Sequence, residues 1–145
     1  MKFRVEREVL AEALGAAARV ASTRNNAMPA LSGVRIEVTG DKLLLSCTDN
    51  DLSVQFVLNV GGQEDGVVVA SAKLMSDIVR SMSEGKVTVE TTGETVSISS
   101  GRAQFTVPTF AATDFPNIVQ ASAPPVTLAA SVFADALRQV VRAAS

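Results

Sequence analysis

The sequence predicts an α+β fold of two βαβββ units, with both helices on one side of the molecule and antiparallel sheets on the other. Three observations lead there. Each half opens with a short apolar strand and an amphipathic helix, then runs through stretches where apolar and polar residues alternate with period two, as in half-buried strands. The stretch "VRIEVTGDKLLLS" lies over "VTVETTGETVSIS", with Val34 on Val87, Glu37 on Glu90, Thr39 on Thr92, Gly40 on Gly93 and Ser46 on Ser99. The tail "VTLAASVFADALRQVVRAAS" in turn repeats the opening "FRVEREVLAEALGAAARVAS", placing Val9 on Val132, Leu14 on Leu137, Arg19 on Arg142 and Ser22 on Ser145. Such self-similarity is the mark of repeated modules.

Taken in order, Phe3 and Val5 form a first strand, and Arg7 to Ser22 a helix. Its apolar face is Val9, Leu10, Ala13, Leu14, Ala17, Val20 and Ala21, and its polar face carries Glu8, Glu12 and Arg19. The loop "STRNNAMPAL" follows, marked by an Asn pair and Pro29. Three strands come next: Val34/Ile36/Val38, then Leu43/Leu45/Cys47 after a Gly40-Asp41 turn, then Leu52/Val54/Phe56/Leu58 after "TDND". "GGQEDG" is expected to break the chain.

The second half begins with the buried strand "VVVA". Ser71 is the expected N-cap of a helix ending near Met82, with Gly85 just beyond it. Leu74, Met75, Ile78, Val79 and Met82 make its apolar face, opposite Lys73, Asp77 and Arg80. Strands at Val87/Val89, Val96/Ile98 and Phe105/Val107 complete the unit. On this reading the helices align with Val5 over Val69, Leu10 over Leu74 and Leu14 over Ile78. The domain organisation expected is a module over residues 1–120, a linker "ASAPP" at 121–125, and the first strand and helix of another module at 126–145. Ser131 would cap that last helix, whose stripe of Phe133, Leu137, Val140 and Val141 needs a sheet to cover it.

Composition narrows the chemistry. The 145 residues are 47% apolar and 19% charged, which is globular, and no apolar run is long enough to span a bilayer. The opening "MKFRVEREVL" lacks the apolar stretch of a secretory signal, and the single Cys47 cannot form an internal disulfide. Both fit a cytoplasmic location. There is no His, so the commonest general base and metal ligand is missing, and one Cys excludes multi-cysteine zinc sites. No Gly-rich phosphate loop or nucleophile elbow occurs, and no cofactor or metal is expected. Catalysis would have to rest on carboxylates. A hydrolase or transferase using Asp49, Asp51 and Asp114 is therefore one alternative, and a repeat-built interaction scaffold another.

Several short motifs, in order and over essentially the whole chain, point to one family. They are "MKF" and "VERE" at the start, the loop with Arg24, Pro29 and Leu31, and Thr48-Asp49 after a strand. The helix "AKLMSDIVR", "SGR" at Ser100 to Arg102 with Phe105 shortly after, and "DFP" at Asp114 to Pro116 complete the set. In these the chain resembles the bacterial DNA sliding clamp, the beta subunit of DNA polymerase III, over its N-terminal domain and the beginning of its middle domain. The resemblance implies the DNA-clamp fold and a non-catalytic processivity factor. Two chains of three modules each would form a homodimer ring that encircles duplex DNA and tethers the polymerase III catalytic subunit, after placement by a clamp loader. It places Arg24 and Lys73, with Arg80 as companion, at the DNA, and Arg102, Phe105 and Val107 at the subunit interface. A net charge of −2 suits a tether that holds by encirclement rather than by affinity. Glu8 and Glu12 depart from a simple basic lining.

Overall fold

The computed structural model describes residues 1–21 and 28–144. Strand β1 (Lys2–Glu6) runs into helix α1 (Arg7–Val20), and a 3₁₀ turn at Pro29–Ser32 feeds β2 (Gly33–Thr39). Then come β3 (Lys42–Thr48), β4 (Ser53–Asn59), β5 (Gly61–Glu64) and β6 (Gly66–Ser71). Helix α2 (Ala72–Ser81) leads to β7 (Lys86–Thr92), β8 (Thr95–Ser100) and β9 (Ala103–Phe110). Helix α3 (Ala130–Val140) lies beyond an extended, exposed segment.

The strands lie in the order β4-β3-β2-β6-β9-β8-β7-β1-β5. Every neighbouring pair is antiparallel. The sheet is thin at its middle, where β6 meets β9 only through Val69–Phe110 and Ala70–Thr109. On either side of that joint the two units exchange first strands. β6, from the second unit, completes the β2-β3-β4 meander, and β1, from the first, completes β7-β8-β9. The hairpins at the two meanders match: Gly40 and Gly93 both adopt left-handed φ, +55° and +59°, which glycine reaches without steric cost. Helices α1 and α2 pack on each other and against the strands. Leu10, Leu14, Met75 and Val79 are buried there together with Val34, Ile36, Leu43, Leu45, Val89, Val96 and Ile98.

The strand pairings correct the alignment of the repeat by one residue. β1 pairs with β7 through Val5–Val87, and β6 pairs with β2 through Ala70–Val34. Since Val34 and Val87 are equivalent, Val5 corresponds to Ala70, not Val69. Carried into the helices, that offset puts Leu10 on Met75, Ala13 on Ile78, Leu14 on Val79 and Ala17 on Met82, every one buried. It also puts Glu12 on Asp77, and Val9 on Leu74, which are 43% and 41% exposed. The Leu10–Leu74 match was chemical identity without geometric equivalence.

Three further expectations change. "GGQEDG" does not simply break the chain: its first four residues are β5, paired with β1. Its glycines permit a close approach, because a Cβ on Gly62 would overlap the backbone carbonyl of Gly40. Helix α1 ends at Val20, with the Ala21 N–H on the Ala17 carbonyl. Ser131 is not a cap: α3 starts at Ala130, after Ala129, with no side chain capping it, and none of its residues is buried. The Ser71 cap holds, its hydroxyl accepting from the Leu74 N–H at 3.3 Å.

Candidate nucleic-acid interface

The solvent side of the α1–α2 layer has mixed charge. Helix α2 contributes Lys73, Asp77 and Arg80, all exposed, and α1 contributes Glu8, Glu12 and Arg19. Lys73 Nζ stands 3.9 Å from the Asp77 carboxylate with both side chains largely in solvent. Such a pair contributes a few tenths of a kcal/mol and leaves the ammonium free to exchange partners. Lys73 and Arg80 are seven residues apart on one helix, or about 10 Å along its axis. The spacing suits separate phosphates, not one shared anion. Arg24 lies outside the described residues.

Arg80 is held differently. Its backbone carbonyl accepts from Arg7 Nη1 at 3.4 Å, which ties the start of α1 to the end of α2. Its guanidinium extends over Gly15 of α1. Gly15 escaped the sequence reading, although a signal was present: a glycine amid Leu14, Ala16, Ala17 and Ala18 sits where alanine is roughly 1 kcal/mol better.

The residues expected at a subunit interface lie on β9 and the turn before it: Arg102 in the turn, Phe105 and Val107 on the strand. From Ala103 to Pro108 this strand pairs with β8 on one side and, among the described residues, with no strand on the other. An unpaired strand edge of this length is a template for another chain. Arg102 is exposed, and Phe105 is 40% exposed. Val107 is a correction: opposite Val96 in the ladder, it is fully buried and belongs to the core. It shares its sheet face with Phe105, which lies two residues nearer the open start of the strand. A second open edge runs along β4, which pairs with β3 alone among the described residues and exposes Val57.

The carboxylates offer no catalytic arrangement. Asp49 folds back on its own turn, its Oδ1 accepting from the N–H groups of Leu52 at 2.7 Å and Asp51 at 3.0 Å. Those bonds lower its pKa, the opposite of what a general acid requires. Asp114 lines a different place, a cleft of about 520 Å³ between the Pro29 turn and Phe110–Thr113. Cys47 is buried, and its thiol is pushed up to about 11, chiefly by burial and then by Asp49. It is no nucleophile. Among the described residues no three His, Cys, Asp or Glu side chains cluster as metal ligands, and no helix is long and apolar enough to cross a membrane.

Comparison with known proteins converges on one family. Residues 1–120 match the family model for the DNA polymerase III beta subunit, N-terminal domain. The beta sliding clamp of Micrococcus luteus is 34% identical over 145 residues, all of this chain and 46% of the relative. That of Streptomyces coelicolor is 35% identical over 144 residues, 99% of this chain and 38% of the relative. The chain thus spans less than half the length of these curated relatives. The crystal structure of the DNA polymerase sliding clamp from Caulobacter crescentus superposes with a TM-score of 0.78 at 31% identity, over 84% of this chain and 34% of that one. Repeated half-units, a shared helical face and an open β9 edge thus coincide with the family match, and the chain belongs to the DNA polymerase III beta subunit family through its N-terminal domain.

Proposed function

We propose that this chain is part of a non-catalytic replication processivity factor: a sliding clamp whose ring encircles duplex DNA and tethers the replicative polymerase in the cytoplasm. The observation that supports it best is the pairing of a one-sided helical layer with open strand edges at β4 and at the start of β9. Modules joined edge to edge by unlike surfaces close into a ring when the rotation per unit permits. The helices would then line the hole. In that reading Lys73 and Arg80, with Arg24, make the few sequence-independent phosphate contacts that let a ring slide. Arg102 and Phe105 meet the other subunit of a homodimer, with Val107 supporting the strand from beneath. In that reading residues 1–120 are the first module, 121–125 a linker and 126–145 the opening of the next, with α3 formed and the expected strand at 126–129 not formed in this chain. The polymerase III catalytic subunit and a clamp loader would engage surfaces mostly outside this chain.

The decisive experiment loads the full-length protein onto circular DNA and then linearises the circle. A topological tether runs off the ends, so bound protein should vanish on cutting. Retention after cutting would sink the reading. The 145-residue chain by itself should fail to hold a polymerase on DNA.

A further inference from the structure

The corrected repeat has a consequence at the seam between the helices. With Val5 equivalent to Ala70, residue 15 of α1 is equivalent to residue 80 of α2. Equivalent positions on two packed helices need not meet, but here the Arg80 side chain reaches across to Gly15. A Cβ built on Gly15 would collide with Arg80 Nη2 and stand 3.3 Å from Arg80 Cζ. Two long side chains cannot share that place, so one unit supplies a guanidinium and the other the space for it. The arrangement is costly for α1, since glycine is a poor residue in a helix interior and alanine, abundant around it, the best. It also leaves the guanidinium without a hydrogen-bond acceptor or ion-pair partner among the described residues, while the side chain stays exposed.

We infer that Gly15 is a positioning residue: its missing side chain seats the Arg80 guanidinium along the α1–α2 seam, preorganised to take a phosphate of duplex DNA. This rests on the clamp reading and adds a residue to it. A guanidinium already laid down loses less freedom on binding than one swinging in solvent, and its unfilled N–H donors are what a phosphate accepts from.

The test uses the ¹⁵N-labelled chain and a short duplex of arbitrary sequence at low salt, with Gly15→Ala, Arg80→Gln, the double variant, and the exchange variant G15R/R80G. Arg80→Gln should weaken duplex binding and lower the slope of log K against log salt by about one. Gly15→Ala should keep or raise thermal stability, shift the Arg80 Nε–H resonance, and weaken duplex binding in the same direction. The double variant should bind no worse than Arg80→Gln. The exchange variant, with a guanidinium reaching the same seam from the other helix, should regain the lost salt slope. An unshifted Arg80 resonance in Gly15→Ala overturns the inference, as do additive losses in the double variant or normal binding by Arg80→Gln. If the unaltered chain ignores the duplex even at low salt, the phosphate role of Arg80 is overturned while the clamp reading still stands or falls on the linearisation experiment, and the Nε–H resonance alone decides whether Gly15 seats Arg80.

Discussion

Cys47 and Asp49, two residues apart, answer to pH in opposite directions. The Cys47 thiol is raised from 9.0 to about 11, first by burial and then by the neighbouring carboxylate. Its unfolded form ionises first, so stability is intact below about pH 9 and falls as pH rises toward the folded value. The chain has no Tyr to confuse the signal. Urea unfolding at about pH 8 and about pH 10 should show that loss in the native protein. In Cys47→Ala the loss should be largely absent, although the small cavity lowers the baseline at both pH values. Asp49 is the reverse case: its pKa is lowered by N–H bonds from Leu52 and Asp51. It stabilises above the ordinary carboxylate range, and that contribution disappears as pH falls through its folded value. Asp49→Ala should therefore be destabilising near neutrality and converge on the native protein in acid. A constant difference across pH would show that the turn, and not the charge, matters.

At the scale of elements, β5 tests whether its glycines are there for flexibility or for clearance. A Cβ on Gly62 would overlap the Gly40 carbonyl, whereas one on Gly61 would reach only ordinary contact, 3.7 Å from the Arg4 carbonyl. Gly62→Ala should cost about 1–3 kcal/mol, as overpacking does, while Gly61→Ala should stay within about 0.5 kcal/mol of the native protein. Equal effects in the two variants would refute clearance as the reason. The same strand shows where the sequence stops being legible. Period-two alternation locates β2, β3, β4, β7, β8 and β9, because each turns one apolar face to the core, buried in β2, β3, β7 and β8 and only partly covered in β4 and β9. "GGQE" has no apolar face to alternate; its pairing with β1 depends on backbone proximity, which no side-chain pattern encodes. The helix register slipped for a related reason. Leu10 and Leu74 are chemically identical, yet one is buried and the other exposed, and only the β1–β7 and β2–β6 ladders show which residues are equivalent. The helical period puts Lys73 and Arg80 on one polar face of α2, and both are exposed there. Gly15 was overlooked because its role appears only when α1 and α2 are packed together.

For the whole molecule, the exchange of first strands means that the two repeated units are not independent domains. Residues 1–65 contain β1 without β7 and β2 without β6; residues 66–145 lack the complementary partners. Each fragment would leave apolar strand and helix faces uncovered, and neither has the core to offset its chain entropy. Cleavage between Asp65 and Gly66, with the fragments separated, should give two chains with collapsed amide dispersion. Mixing them in equal amounts should restore the native spectrum, because the complete core exists only in the pair. A cut after Gln120 should behave in the opposite way. Beyond it every described residue is exposed except the half-buried Ala134, and α3 buries nothing. Removing 121–145 should therefore move the unfolding midpoint by less than the roughly 4 °C that 1 kcal/mol produces in a domain near 100 residues. It should also reduce self-association at high concentration, since Val132, Phe133, Leu137 and Val140 are an uncovered apolar stripe. A large fall in midpoint would mean that α3 braces the first module. A folded fragment of residues 1–65 would mean that the exchanged strands are dispensable, and with them the reciprocal packing that brings residues 15 and 80 together.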